Sequence, residues 1–219
     1  MKADFTKVTL VLGIDEAGRG PALGPLVMAA VALEPAAAGR LTRAGVTDSK
    51  RFGSGEKAHQ SRKQFLGLIE TVASFIGYAV CDVHTVDEYV SRGALNELER
   101  QWARDLIARA PQAKRIVADG ARMFAPLQDE FPHFESHDQG ESMHAAVAAA
   151  SICAKVRRDD LFECIASRYA GDFGPLQGGG YVNKGTHAFT KMYLSRYGHL
   201  PPEARASWPW DGSPKLFRV

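Results

Sequence analysis

Asp15 and Glu16 stand side by side at the end of an apolar run and are followed at once by glycines and an arginine, in the stretch GIDEAGRGPALGP from Gly13 to Pro25. Asp119, with Gly120 behind it, ends a second short apolar run far along the chain. Clustered carboxylates offer hard oxygen ligands of the kind that Mg²⁺ and Mn²⁺ prefer. Two such ions held roughly 4 Å apart activate a water and stabilise the leaving oxygen in phosphodiester hydrolysis. Without a cation the same carboxylates repel one another and raise each other's pKa. Aspartate is also an ordinary turn residue, and spacing alone leaves both roles open. Gly18-Arg19-Gly20 adds a backbone that can come close to a sugar or phosphate, with a guanidinium for an anionic oxygen. A G-x-G alone is a weak signal, and the chain has neither a P-loop nor a dinucleotide-binding glycine fingerprint.

These side chains need elements to position them. TLVLGI within Val8 to Ile14 reads as a buried strand that delivers Asp15 and Glu16 to its end, and PLVMAAVAL from Pro25 to Leu33 as its hairpin neighbour. The apolar spacing from His59 to Ile76 predicts a surface helix, Gly77 to Val83 a third strand, and His84 to Ala110 one long amphipathic helix. Arg115 to Ala118 predicts a fourth strand, ending in Asp119, and Phe131 to His137 a fifth. Glu141 to Tyr169 reads as an alanine-striped helix, Phe173 to Thr186 as a glycine-rich loop, and His187 to Tyr197 as a last helix. Strands alternating with helices, then a helical end, predict an α/β sheet with a helical C-terminal part.

A chain of 219 residues suits one medium-sized domain. Lys and Arg total 27 against 25 Asp and Glu, so any basic surface is local. Cys81, Cys153 and Cys164 show neither metal-ligand spacing nor an even disulfide framework, which fits a reducing cytosol. No stretch has the length of a signal peptide or membrane span, so a soluble cytoplasmic protein is expected.

Five segments in order resemble the type 2 ribonucleases H, and the ribonuclease HII branch in particular: DEAGRGPALGP, TDSK at Thr47 to Lys50, ADG at Ala118 to Gly120, AAASICAKVRRD at Ala148 to Asp159, and Gly180-Tyr181. The resemblance covers roughly Val11 to Trp210. It implies a ribonuclease H-like mixed β-sheet flanked by helices, over a catalytic core at 1–170 with 171–219 completing the substrate groove of the same unit. It also implies metal-dependent endonucleolytic cleavage 5′ to a ribonucleotide in RNA/DNA hybrids or embedded in duplex DNA, leaving 3′-OH and 5′-phosphate.

Carried over by motif, Asp15, Glu16 and Asp119 are metal ligands for Mg²⁺ or Mn²⁺, with Glu141 at the family's fourth acidic position, where aspartate is usual. Asp138 and Asp159 compete for that place; Asp159 falls far along a continuous helix from Glu141, and Asp138 lies in the loop before it. Gly18, Arg19 and Gly20 present the ribonucleotide, and Tyr181 reads its sugar, since the 2′-OH is the group that tells RNA from DNA. Ser49, Lys50 and Lys155 are candidate phosphate contacts, Lys184 a weaker one, and Arg205 with Ser207 and Trp208 resembles a segment closing over the groove. Val182-Asn183-Lys184 follows Tyr181 where proline usually stands. His133, His137 and His144 read as ordinary surface or packing residues, because an oxygen-ligand site needs no imidazole.

A junction-type nuclease on the same acidic sheet and a hybrid-binding protein without catalysis are the rival readings. The G-R-G arginine and the short lead into the first strand separate the chain from the ribonuclease HIII type. A monomer is expected, with no membrane partner, and the ending PKLFRV lacks a glutamine-led sliding-clamp motif.

Overall fold

The computed structural model describes residues 9–208 except 48 and 54. Among them, no helix is long and apolar enough to cross a membrane. Strands β1 (Val11–Ala17) and β2 (Leu26–Leu33) open the chain, and every residue of β2 is buried. Helix α1 (Pro35–Arg43) follows, with proline at its start, where a missing N–H costs nothing. The expectation has no α1, because Leu41 is its one buried residue and no apolar stripe marks it. A 3₁₀ turn (Ser49–Phe52) leads to α2 (Glu56–Val72), and β3 (Phe75–Cys81) closes this half of the sheet.

The single long helix expected from His84 to Ala110 is two helices, α3 (Val83–Ser91) and α4 (Leu95–Arg109). Gly93, at φ +66°, makes the break, and its N–H and that of Ala94 close back on the carbonyls of Val90 and Tyr89. β4 (Arg115–Asp119), the short α5 (Ala121–Phe124) and β5 (Phe134–His137) follow. Glu141 does not begin the long alanine-rich helix as expected. It sits on its own turn, α6 (Gly140–Met143), after Gln139 in the left-handed region and before an extended His144. Helix α7 (Ala145–Phe173) and α8 (Lys184–Tyr197) complete the chain.

The five strands form one mixed sheet in the order β3-β2-β1-β4-β5. β1 pairs parallel with β4, with Ile14 opposite Ala118, and β4 pairs parallel with β5, with Asp119 opposite His137. The acidic residues that follow Ile14 and Ala118 are therefore brought to the same end of adjacent strands.

The described chain falls into two units. Among the described residues, the first comprises 9–16, 28–79 and 99–156; the second comprises 17–27, 80–98 and 157–208. In the first unit Leu12, Ile14, Met28, Leu106, Ile116, Phe124, Leu127 and Phe134 form the core. Each large aliphatic side chain so buried contributes about 1.5–3 kcal/mol. In the second, Leu23, Phe162, Leu176, Phe189 and Tyr193 pack together, with Tyr169 and Phe173 against them.

Candidate active site

Gly13 decides how the first unit assembles its carboxylates. A Cβ at this position would meet the Ala146 carbonyl and the Val147 nitrogen closer than 3.0 Å, so the start of α7 lies directly on the backbone of β1. Two residues on, Asp15 is 4% exposed, and one of its oxygens accepts the Glu16 N–H at 2.8 Å. Burial raises its pKa well above the usual carboxylate range, and the Glu16 and Asp119 charges raise it further, against a lowering hydrogen bond from Ser151. Asp119 accepts the Gly140 N–H at 2.8 Å, which ties the end of β4 to α6 and to Glu141, itself 4% exposed.

Such a set is electrostatically uncomfortable by itself. A buried carboxylate faces two like charges, all the candidate ligands are oxygens, and a bound divalent cation would offset both the repulsion and the lost hydration. The donor set therefore fits Mg²⁺ or Mn²⁺. Asp138 is different: exposed, with its carboxylate accepting the Ala121 N–H at 2.9 Å, it caps α5. Asp159 lies in the second unit, 3.6 Å from the Arg158 guanidinium.

Behind Asp15 lies a hydroxyl pair that motif reading did not single out. The Ser49 and Ser151 oxygens are 2.9 Å apart and both residues are buried, so Ser49, expected at a phosphate, is instead tied to the residue that bonds Asp15. Buried Arg62 of α2 fixes this turn, donating to the Ser49 carbonyl at 3.4 Å and to that of Gly53 at 3.2 Å. Lys155 is half-buried on α7; Lys50 lies in the turn itself, with its side chain outside the described ones, as Asp48 of the TDSK motif is.

In the second unit the glycine loop and Tyr181 meet. The Tyr181 ring is 52% exposed, and its edge lies 3.2 Å from where a Gly20 Cβ would stand, so any side chain there would push against the ring. Gly18 has φ +98°, a conformation suited to glycine. Arg19 donates to Asn96 Oδ1 at 2.6 Å, a partner available because α4 begins afresh after Gly93. Sequence reading missed Asn96, since nothing in LNEL distinguishes it from solvated polar residues.

Arg205, expected at the substrate, is fully buried. Its guanidinium donates to the carbonyls of Gly18 at 2.6 Å, Arg19 at 3.2 Å and Gly24 at 2.9 Å, and Trp208 covers it at 4.8 Å. Burial and the nearby Arg158 charge lower its pKa to about 10. Trp208 Nε1 donates to the Gly20 carbonyl at 2.9 Å, and Asp87 holds Ser207 and the Ala206 N–H. The 204–208 segment thus grips the loop from behind. Lys184 is exposed at the start of α8. The rings of His137 and His144 lie tilted to one another with centroids 5.7 Å apart, and His137 is beside Glu135.

Known proteins resemble this chain over most of its length. A ribonuclease HII from Pyrobaculum arsenaticum is 36% identical over 94% of this chain and 97% of its own, and one from Pyrococcus furiosus is 32% identical over 90% and 87%. Among solved structures, ribonuclease H2 from Pyrococcus horikoshii OT3 superposes with a TM-score of 0.76 at 27% identity, covering 91% of this chain and 94% of that one. The ribonuclease HII of Archaeoglobus fulgidus, solved in complex with PCNA, gives 0.76 at 26% identity, covering 91% and 95%. A Bst ribonuclease HIII solved with Mn²⁺ shares the fold, at 0.67 and 21% identity over 87% of this chain and 63% of its own. The profile of the ribonuclease HII family matches residues 12–210, and this chain belongs to that family.

Proposed function

We propose that this ribonuclease H-type nuclease hydrolyses the phosphodiester on the 5′ side of a ribonucleotide, within an RNA/DNA hybrid or embedded singly in duplex DNA, leaving 3′-OH and 5′-phosphate ends. The observation that carries the choice of substrate is the exposed Tyr181 ring against Gly20, beside a loop whose carbonyls are already engaged by Arg205. A flat aromatic surface can pack under a sugar while its hydroxyl reaches a 2′-OH, and a neighbouring glycine leaves the backbone open to the ribose.

Asp15, Glu16, Asp119 and Glu141 would hold two divalent ions, Mg²⁺ or Mn²⁺, which when bound supply an activated water and stabilise the leaving 3′ oxygen. The protein's own contribution is positional. Ser151 and the Glu16 N–H fix the Asp15 carboxylate, the Gly140 N–H fixes that of Asp119, and Asn96 steadies the Arg19 guanidinium for an anionic oxygen. Lys50 and Lys155 would meet backbone phosphates of the duplex, contacts that place the substrate without reading its sequence.

The test is a duplex carrying one ribonucleotide, incubated with the protein and Mg²⁺ or Mn²⁺, with the cut mapped to single-nucleotide resolution. Cleavage on the 5′ side of the ribonucleotide, abolished by chelation and lowered at least tenfold in Tyr181→Ala without equal loss of affinity for plain DNA duplex, is the expected outcome. Cleavage of an all-DNA duplex at the same rate would refute it.

A further inference from the structure

Helix α7 sends one more arginine into the second unit. Arg158 is 1% exposed; its Nη2 donates to the Leu23 carbonyl at 3.0 Å, and the Phe162 ring lies 5.2 Å from its Cζ. Its Nε has no hydrogen-bond partner among the described residues. Around it are four glycines, all with positive φ: Gly18, Gly24, Gly179 and Gly180. A Cβ at Gly18 would stand 3.2 Å from Arg158 Cγ and 3.3 Å from Nε, one at Gly179 3.2 Å from Nη1, and one at Gly180 3.1 Å from Nη2. Stem and guanidinium thus occupy the bare faces of two loops at once. Those loops are also joined by their backbones, since the Ala22 and Leu23 N–H groups both donate to the Gly180 carbonyl, at 2.9 and 3.0 Å.

Burying a cation with one donor unmatched is a poor way to stabilise a fold; an apolar side chain of similar volume is often neutral or better. What an apolar chain cannot do is hold a carbonyl and fill four glycine faces with one rigid plane. We infer that Arg158 is a positioning residue for ribose recognition: it locks the 18–24 loop to the 178–181 loop in the register that keeps the Tyr181 ring against Gly20. This rests on the proposed reading of Tyr181. Because Arg158 is buried, it acts through the two loops and does not touch the nucleic acid.

Arg158→Met and Arg158→Lys, compared with wild type, test the assignment by three measurements: kcat and KM on the single-ribonucleotide duplex, hydrogen exchange of the amides in 18–24 and 178–181, and Tm. In Arg158→Met, kcat is expected to fall by about a hundredfold, the loss that an ångström-scale misplacement brings. Exchange in both loops should quicken while Tm stays level or rises, and Arg158→Lys should recover part of the rate by restoring a donor. Wild-type turnover with unchanged exchange in Arg158→Met would overturn the inference. So would a fall of Tm that accounts for the lost activity in both variants. A wild-type protein that leaves the ribonucleotide uncut would refute the proposed function instead, and the exchange data would then decide on Arg158 alone.

Discussion

Replacing Gly13 by alanine tests the contact on which the carboxylate site is built. Its φ is not in the left-handed region, so alanine brings no backbone strain of its own. The whole effect comes from a methyl group placed closer than 3.0 Å to the Ala146 carbonyl and the Val147 nitrogen, which are backbone atoms and cannot swing aside as the end of a side chain would. Either α7 withdraws from β1 by a good fraction of an ångström or the strand bends. Overpacking of this kind costs about 1–3 kcal/mol, and a clash with backbone belongs at the top of that range. For a chain of this size each kcal/mol lowers Tm by roughly 2–4 °C, so Gly13→Ala should melt about 6–12 °C below wild type. Asp15 follows Gly13 by two residues, so cleavage should drop by about a hundredfold at a temperature where the variant is still folded. Gly67→Ala is the matched control. It lies in α2 with nothing within 4 Å of its added Cβ, and alanine there should stabilise by roughly 0.5–1 kcal/mol. Differential scanning calorimetry and a cleavage time course on both variants settle the matter. If Gly13→Ala melts within 2 °C of wild type, by an order-of-magnitude criterion of about 1 kcal/mol, the close approach of helix to strand is not what holds the site together.

Two further outcomes separate neighbouring side chains with different work. Glu141→Gln should lower the cleavage rate at least a hundredfold, about 2.7 kcal/mol of barrier, with substrate binding in gel shift little changed, whereas Asp138→Asn keeps an oxygen for the Ala121 N–H and should cut within about threefold of wild type. The reverse ranking would move the fourth ligand to Asp138. On β5, Glu135 accepts from Nε and Nη2 of Arg115, each at 2.7 Å, and its pKa is lowered to about 2 by that pairing, with His137 assisting. A lowered carboxylate stabilises the fold above its unfolded pKa, near 4.5, and loses that contribution as pH falls toward 2. Because the pair is some 40% exposed, the contribution is about 1 kcal/mol or less. Glu135→Gln should therefore flatten the stability curve between those two pH values in chemical denaturation, and an unaltered slope would count against the pairing.

The sheet and its acidic ends were legible because burial on both faces leaves a continuous apolar run, and Asp-Glu or Asp-Gly at the end of such a run stands out. Where elements stop was harder to read. The stripe of α4 continues backward through α3 in the sequence, and only Gly93, one glycine among many, marks the break. The alanine spacing of α7 likewise runs back to Glu141, although the chain breaks at an extended His144. Motif position made Arg205 look like a substrate contact. Its partners are backbone carbonyls, which have no letter in a sequence, so nothing told this buried arginine from a phosphate-binding one. Arg158 is hidden for the same reason, its partner being the Leu23 carbonyl, whereas the partners of Ser151 are side chains of Ser49 and Asp15 far away in the sequence.

The residues after Tyr181 show how one local device replaces another. Proline at the next position would fix the backbone covalently; here Val182 leaves it free, and hydrogen bonds take over. The Tyr181 N–H donates to the Gly178 carbonyl at 3.2 Å, while its own carbonyl accepts from Asn183 Nδ2 at 3.0 Å and from Thr186 Oγ1 at 2.8 Å. Asn183 does two things at once, because its Oδ1 also accepts the Thr186 N–H at 3.0 Å and caps α8. The exposed ring is thereby anchored to the first turn of a helix whose Thr186, Phe189, Thr190 and Tyr193 are buried, so its position inherits the rigidity of that packing. Three carbonyls of the facing loop are held by Arg205, and the Gly20 carbonyl by Trp208. On the proposed reading, a surface that distinguishes a hydroxyl from a hydrogen gains its selectivity from what cannot move, and in this unit the Tyr181 ring and the loop facing it are both fixed by bonds made behind them.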